Sequence, residues 1–383
     1  MPPRPADQVR LSLIEKVKLV LFYAVVITKT CGSALTAPFA APANRSKVYK
    51  RHVAYSLVRH LFTNSNTRID QAITEDTDSV YYQWAKKHKV ATAREVLPDG
   101  TEAFWIGSKD AKTVLLFFHG GGFNLPALPA HINFAARLVD ELNPPSSSSS
   151  SSAPNFAVLF LQYDFGPWGH YPRQLAQAAA LYKHVVEELR IPHILIGGDS
   201  AGGNISISLL SHLLHPHPDA SVPRIDVRSV SALKGALLIS PWADPFGTAE
   251  EYPSLRRNEF KDLLHARFLK RWADGWVDGK PLDAYNRPTQ APKGWWAGVD
   301  KVLERFLLVV GADDVLVDGA LKFAETFRKE WRDERDATVV VFEDEGHISG
   351  VMDPDMGFKP EEVRMWLQIR DWMKGVVGVS DGQ

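Results

Sequence analysis

The stretch from His193 to Asn204, HILIGGDSAGGN, limits what this chain can fold into more than any other: an apolar run meets two glycines, an acid and a serine, then residues that suit a helix. Gly198, Asp199, Ser200, Ala201 and Gly202 fit the G-x-S-x-G pattern, in which a strand turns so sharply into a helix that the serine is lifted clear of the sheet. A side chain at either flanking glycine would strike the neighbouring backbone. The pentapeptide alone is weak; a strand before it and a helix after it make it specific. Such a turn sits on a mostly parallel sheet, so the rest of the chain has to supply one.

It does. From residue 100 onward, short β-branched or apolar runs alternate with stretches of helical period, which predicts a mostly parallel sheet covered on both faces. The predicted strands are 103–106, 114–118, 156–163, 193–197, 236–240, 306–311 and 338–342, and the predicted helices 131–142, 174–189, 201–214, 317–331 and 360–373. Function in such a sheet sits at the carboxyl ends of the strands. Two segments break the pattern. Pro144, Pro145 and the serines from Ser146 to Ser152 read as a solvated loop, and 242–299 lacks clear strands while holding Trp272, Trp276, Trp295 and Trp296. Tryptophans so dense either pack together or line an apolar pocket.

Composition removes several classes. With 44 basic and 45 acidic residues the net charge is −1, so no field draws the chain to nucleic acid. Cys31 is the single cysteine; it cannot form an internal disulfide and reads as a buried apolar filler. The N-terminal run at 19–28, LVLFYAVVIT, is half as long as a spanning helix requires, and lacks the layout of a signal peptide. Residues 11–27 therefore read as an amphipathic or buried helix, capped by Ser12 ahead of Glu15 and packed on the rest of the chain; contact with a membrane surface is the alternative. Together these readings predict a cytoplasmic protein, membrane-associated in that alternative.

A serine hydroxyl is a poor nucleophile unless a base stands within reach and an acid orients that base. His347 follows the strand that ends at Phe342, in EDEGHISG, where a loop can bring an imidazole back over Ser200. The acid belongs after the preceding strand, where Asp313, Asp314 and Asp318 compete; Asp314 lies at the turn, whereas Asp318 suits a helix cap. In VLLFFHGGGF a strand runs into His119, Gly120, Gly121 and Gly122. The amides of Gly120, Gly121 and Ala201 are the expected oxyanion hole, with His119 bracing the loop. Gly122, Gly198, Asp199 and Gly202 complete the two motifs. No metal or organic cofactor is called for.

Taken together, HGGGF, GDSAGGN and the later Asp and His segments resemble the hormone-sensitive-lipase-like branch of α/β-hydrolases, which includes arylacetamide and steryl deacetylases, over about 100–373. The resemblance implies an α/β-hydrolase fold with a catalytic domain at 100–383, an N-terminal helical or cap region at 1–99 and a cap insertion at about 242–299. It also implies hydrolysis of a small or aryl ester. Asp314, Val315, Leu316, Val317, Asp318 is similar to the family's D-P-L-x-D and again selects Asp314. Tyr163 to Pro172 departs from the family's Y-R-L-A-P-E-x-x-x-P, with Asp164 in place of a polar or basic residue and Trp168 in place of the acid. The serine tract and N-terminal helix look like fungal members, some of which serve natural-product pathways. Two rival readings remain: a non-hydrolytic condensation or cyclisation catalyst or binder on the same fold, and a membrane-associated lipid or sterol ester deacetylase.

Overall fold

Period-two alternation lets one sheet carry two cores. In the strand Thr113–Phe118, Val114, Leu116 and Phe118 enter one buried apolar cluster while Leu115 and Phe117 enter another on the opposite face. Full burial of each such side chain contributes about 1.5–3 kcal/mol. The computed structural model describes residues 11–143, 155–226, 232–331 and 336–379. The serine tract at 146–152 and the prolines before it lie outside the described residues.

The eight strands are β1 (Arg94–Val96), β2 (Glu102–Ile106), β3 (Thr113–Phe118), β4 (Phe156–Gln162), β5 (His193–Asp199), β6 (Gly235–Ile239), β7 (Phe306–Gly311) and β8 (Ala337–Phe342). Their order is β1-β2-β4-β3-β5-β6-β7-β8; β1 and β2 run antiparallel, and every pair from β4 to β8 is parallel. All seven predicted strands are present, within two residues at each end. The short edge strand β1 was missed because its burial pattern carries no apolar face.

The α5 (Pro129–Leu142) and α12 (Arg364–Val377) helices cover one face of the sheet, and α6 (Arg173–Glu187), α7 (Ala201–Leu214) and α10 (Val317–Lys329) cover the other. The last helix starts four residues later than predicted: Pro360 opens a 3₁₀ turn, and Glu345 then accepts the amides of Arg364 (2.9 Å) and Met365 (3.2 Å) as a remote cap.

Four helices precede the sheet: α1 (Leu13–Thr36), α2 (Tyr49–Thr63), α3 (Thr67–Ala72) and α4 (Thr77–His88). Ser12 and Glu15 form the expected reciprocal cap. The expected burial of this helix does not follow. Thr28, Thr30 and Thr36 bond the carbonyls four residues back and α1 runs on to Thr36, where Ala37 and Pro38 open a 3₁₀ turn, giving 24 residues of which only Val26 is buried. Glu15, Leu19, Phe22, Val26, Thr30 and Ser33 form the stripe shielded by the body, while Leu13 (78% exposed), Val17, Val20, Leu21 and Leu35 (74%) face outward. Cys31 is likewise exposed and is no core filler. The α2 helix is anchored by a buried network, in which Arg51 pairs with Asp353 (2.8 Å) and the Tyr55 hydroxyl donates to the same carboxylate (2.7 Å). Between β6 and β7 lie α8 (Ser254–Arg257) and the strongly amphipathic α9 (Ala266–Val277).

Candidate active site

Where β5 turns into α7, Ser200 adopts φ +53°, ψ −115°, a conformation rarely tolerated by a side-chain-bearing residue. The turn survives because its surroundings over-determine it. The Ser200 amide donates to Ile239 O (2.9 Å), and its carbonyl accepts from Trp242 N (2.9 Å) and Asn204 N (3.2 Å). Crossing backbones leave no room at the flanking glycines: a Cβ on Gly202 would stand 1.8 Å from Phe118 O, and one on Gly198 2.4 Å from the same atom. The serine thus sits at the positive end of a 14-residue helix.

Two other strand ends deliver His347 and Asp314, the residues expected as base and acid. The His347 Nδ1–H donates to Asp314 Oδ2 at 2.9 Å, and both side chains are buried. The carboxylate is aimed by the Leu316 amide, which donates to Asp314 Oδ1 (2.7 Å). The other two aspartates are occupied elsewhere: Asp313 pairs with Lys261 (3.0 Å), and Asp318 accepts the Ser254 amide (2.7 Å) and Arg257 (3.1 Å). Asp318 is not the cap of α10 that its position suggested, since the helix begins one residue before it. Burial opposes the charged form of His347, but the charge and hydrogen bond of Asp314, helped by Asp262 and Asp199, outweigh it and hold its pKa above the ordinary 6.5. The base loop is tied to the elbow through β6, because the Ile348 amide donates to Ser240 Oγ (3.2 Å), next to the Ile239 carbonyl that holds Ser200. Ser200 Oγ makes no hydrogen bond to the His347 ring among the described residues.

The glycine loop after β3 departs from expectation in one respect. The Gly120 amide donates to Asp199 Oδ1 (3.0 Å), so it is spent on bracing and does not face the serine. A Cβ at Gly120 would lie 2.2 Å from Asp199 Oδ2, and the His131 Nε2–H also donates to that oxygen (3.1 Å). Asp199, the second residue of the pentapeptide, therefore joins the two glycine motifs. Gly121 and Gly122 take φ +113° and +62°, and among the described residues no hydrogen bond meets their amides or that of Ala201. The His119 Nδ1–H donates to Gly120 O (2.6 Å) and its ring stacks on Tyr163 at 4.3 Å.

The atypical segment 163–172 supports the same loop. The Tyr163 hydroxyl donates to His119 O (2.7 Å), and the Gly166 amide donates to Phe123 O (2.9 Å). A cavity of about 550 Å³ opens beside it, lined by Phe123, Trp168 and Trp272 together with Arg68, Gln71 and Asn124. Trp272 presses so closely on the glycine loop that a Cβ at Gly122 would meet its ring at 2.2 Å. The tryptophan cluster divides accordingly. Trp272 lines the cavity, Trp276 stacks on Phe123 (3.7 Å), and Trp296 packs in the core against Phe323 and Phe327.

Sequence reasoning passed over Ser254, Asn258 and Asp262. All three are fully buried and contact the acid loop at 312–318. The available signal was their spacing: polar groups four residues apart fall on one side of a helical turn.

Comparison with known proteins agrees with this fold. The sequence model of a family described as alpha/beta hydrolase fold matches residues 115–349. An acetyl-hydrolase of Streptomyces hygroscopicus is 28% identical over 221 residues, covering 57% of this chain and 63% of that protein. Steryl acetyl hydrolase 1 of Saccharomyces cerevisiae is 27% identical over 135 residues, 34% of this chain and 27% of its own length. The chain thus spans less than two thirds of these relatives. Among solved structures, carboxyl esterase 2 of Tuber melanosporum superposes with a TM-score of 0.60 at 20% identity, covering 75% of this chain and 87% of that one. An esterase from the bacterial hormone-sensitive lipase family gives 0.59 at 19% identity, with 92% and 98% coverage.

Proposed function

Because the chain belongs to the alpha/beta hydrolase fold family, we propose that it is a serine carboxylic-ester hydrolase of the deacetylase kind, with Ser200 as nucleophile, His347 as base and Asp314 as the acid that orients it. The observation that carries this reading is the buried 2.9 Å bond between Asp314 and His347 on a loop tied, through Ser240, to the strand end that holds the strained Ser200 elbow. Neutral His347 takes the Ser200 proton as the oxygen attacks an ester carbonyl. Asp314 holds the imidazolium, and the amides of Gly121, Gly122 and Ala201 take up the charge on the tetrahedral oxygen. His347 then returns the proton to the leaving alkoxide, and water releases the acyl group. Catalytic hydrogen bonds are often long or poorly aligned in unliganded enzymes and tighten when substrate binds, so the missing Ser200–His347 bond does not remove the pair from these roles.

The 550 Å³ aromatic cavity, whose Trp272 ring faces Gly122, suits a small or aryl ester, and α3 and α9, which line it, act as the cap over it. Ser200→Ala, which removes one oxygen, is expected to abolish turnover of p-nitrophenyl acetate and labelling by a fluorophosphonate, with an unchanged melting profile. Retained turnover refutes the nucleophile assignment. An unlabelled, inactive wild-type enzyme favours the binding or condensation reading.

A specific observation favours a second element, membrane association. The α1 helix is about 36 Å long, and Leu13–Phe39 is apolar enough to cross a bilayer while hardly buried. It turns Leu13, Val17, Val20, Leu21 and Leu35 outward, whereas a helix that only packs on a core keeps such side chains inward. Replacing Leu13, Val17, Val20 and Leu21 with serine is expected to shift the protein from the membrane pellet to the supernatant and to reduce vesicle binding. Equal partitioning of variant and parent sinks this element and leaves the chemistry untouched.

A further inference from the structure

Ser254, Asn258 and Asp262 form a clamp on the loop that carries Asp314. Ser254 Oγ donates to Val315 O (2.8 Å), Asn258 Nδ2 donates to the carbonyls of Ala312 and Asp314 (2.8 Å each), and Asp262 Oδ2 accepts the Val315 amide (2.8 Å). Asp262 alone of the three reaches further. Its Oδ1 accepts the amides of Leu263 (2.7 Å) and His347 (3.0 Å), so one carboxylate bridges the acid loop and the base loop. A ligating atom from each of Asp262, Asp314 and His347 lies within 4.8 Å of the others, and all three residues are buried.

From this geometry we infer that Asp262 is a positioning residue of the active site: it locks the two loops in register and places a second negative charge beside the His347 ring. The inference rests on the reading of His347 as the base that activates Ser200. Three amide donors pin the carboxylate so that it cannot turn away, and they favour its ionised form. Burial and the neighbouring Asp314 work the other way and raise its pKa, while the His347 charge lowers it, so the anion of Asp262 and the imidazolium of His347 favour each other. Attack on an ester turns His347 into an imidazolium, and a fixed anion at this distance favours that state without moving. The charged and titratable groups around the pair are few. Asp314 and Asp199 face His347; Arg59 of α2 donates to the Asp262 carbonyl, the Tyr55 phenol lies beside Asp262, and Lys261 is held by Asp313.

The test uses the full chain, p-nitrophenyl acetate and a fluorophosphonate. For Asp262→Asn, the acid-limb midpoint of kcat/KM is expected to fall by about one pH unit, since a charge favouring the imidazolium is gone. With the loops loosened, kcat is expected to fall about 10- to 100-fold with little change in KM. Asn258→Ala, which loosens the same loop without removing a charge, is expected to lower the melting temperature and leave the midpoint in place. Should Asp262→Asn be recovered unfolded, Asp262→Ser, whose smaller side chain admits water to the three amides, is read in the same way. A folded Asp262 variant with the parent's midpoint overturns the inference while Ser200→Ala still behaves as a nucleophile knockout. Loss of labelling in the parent, or full activity in Ser200→Ala, overturns instead the reading beneath it.

Discussion

Adding one methyl group at Gly202 tests whether the elbow geometry sets the rate. In Gly202→Ala the new Cβ would lie 1.8 Å from Phe118 O, 2.4 Å from Phe118 C and 2.8 Å from His119 O, all of them backbone atoms. No rotamer change relieves that. To reach the 3.0 Å that real Cβ contacts respect, the start of α7 must move away from the end of β3 by about 1.2 Å. Overpacking of this kind costs about 3 kcal/mol, the upper part of its usual range, because the obstacle is main chain. The same displacement carries Ser200 and the Ala201 amide away from Gly121 and Gly122, and a 1 Å misplacement of reacting groups lowers rates about 100-fold. The expected result is a melting temperature lower by about 4 °C and a kcat/KM for p-nitrophenyl acetate reduced at least about 100-fold. Thermal melts and initial rates read both. A folded Gly202→Ala enzyme with parental stability and rate would mean that the backbone contact is not what holds the serine in place.

In the parent enzyme the acid limb of kcat/KM is expected to have its midpoint above pH 6.5, because His347 acts only when neutral and Asp314 raises its pKa, so activity is lost as pH falls through that raised value; a pH-rate profile with a midpoint at or below 6.5 counts against the buried pair. Asp314→Asn is expected to move that midpoint down and to lower kcat about 10⁴-fold, since an amide neither stabilises the imidazolium nor selects the right tautomer; burst and steady-state kinetics check it. Arg51→Ala leaves Asp353 buried with the Tyr55 hydroxyl and without its cation, a loss of about 3–5 kcal/mol visible in denaturant unfolding; a loss under 1 kcal/mol would show that water reaches the site.

The motifs could be read because they record local backbone demands. Glycines at 198 and 202 are required by the crossing chain, and the alternation in 114–118 is required by a sheet with two apolar faces. Strand order, the side chains that meet, and the amides that stay free are not local properties. Gly120 and Gly122 look equivalent in a run of three glycines, yet only the fold brings Asp199 up to the first and Trp272 up to the last. The outward face of α1 was misjudged for the same reason: a run of apolar residues records its wish to leave water and does not record what receives it.

The amino-acid sequence by itself determined the class of sheet, the sharp turn at Ser200, the loop of His347 and the three aspartates from which the acid is drawn, because each depends on residues adjacent in the chain. Tertiary structure alone decided how close the favoured Asp314 comes to the ring, that Asp262 arrives from 85 residues before His347 to join both loops, and that Gly120 donates to Asp199. Those choices depend on hydrogen-bond distances of about 3 Å between segments remote in sequence. Only close packing of the whole chain sets such distances.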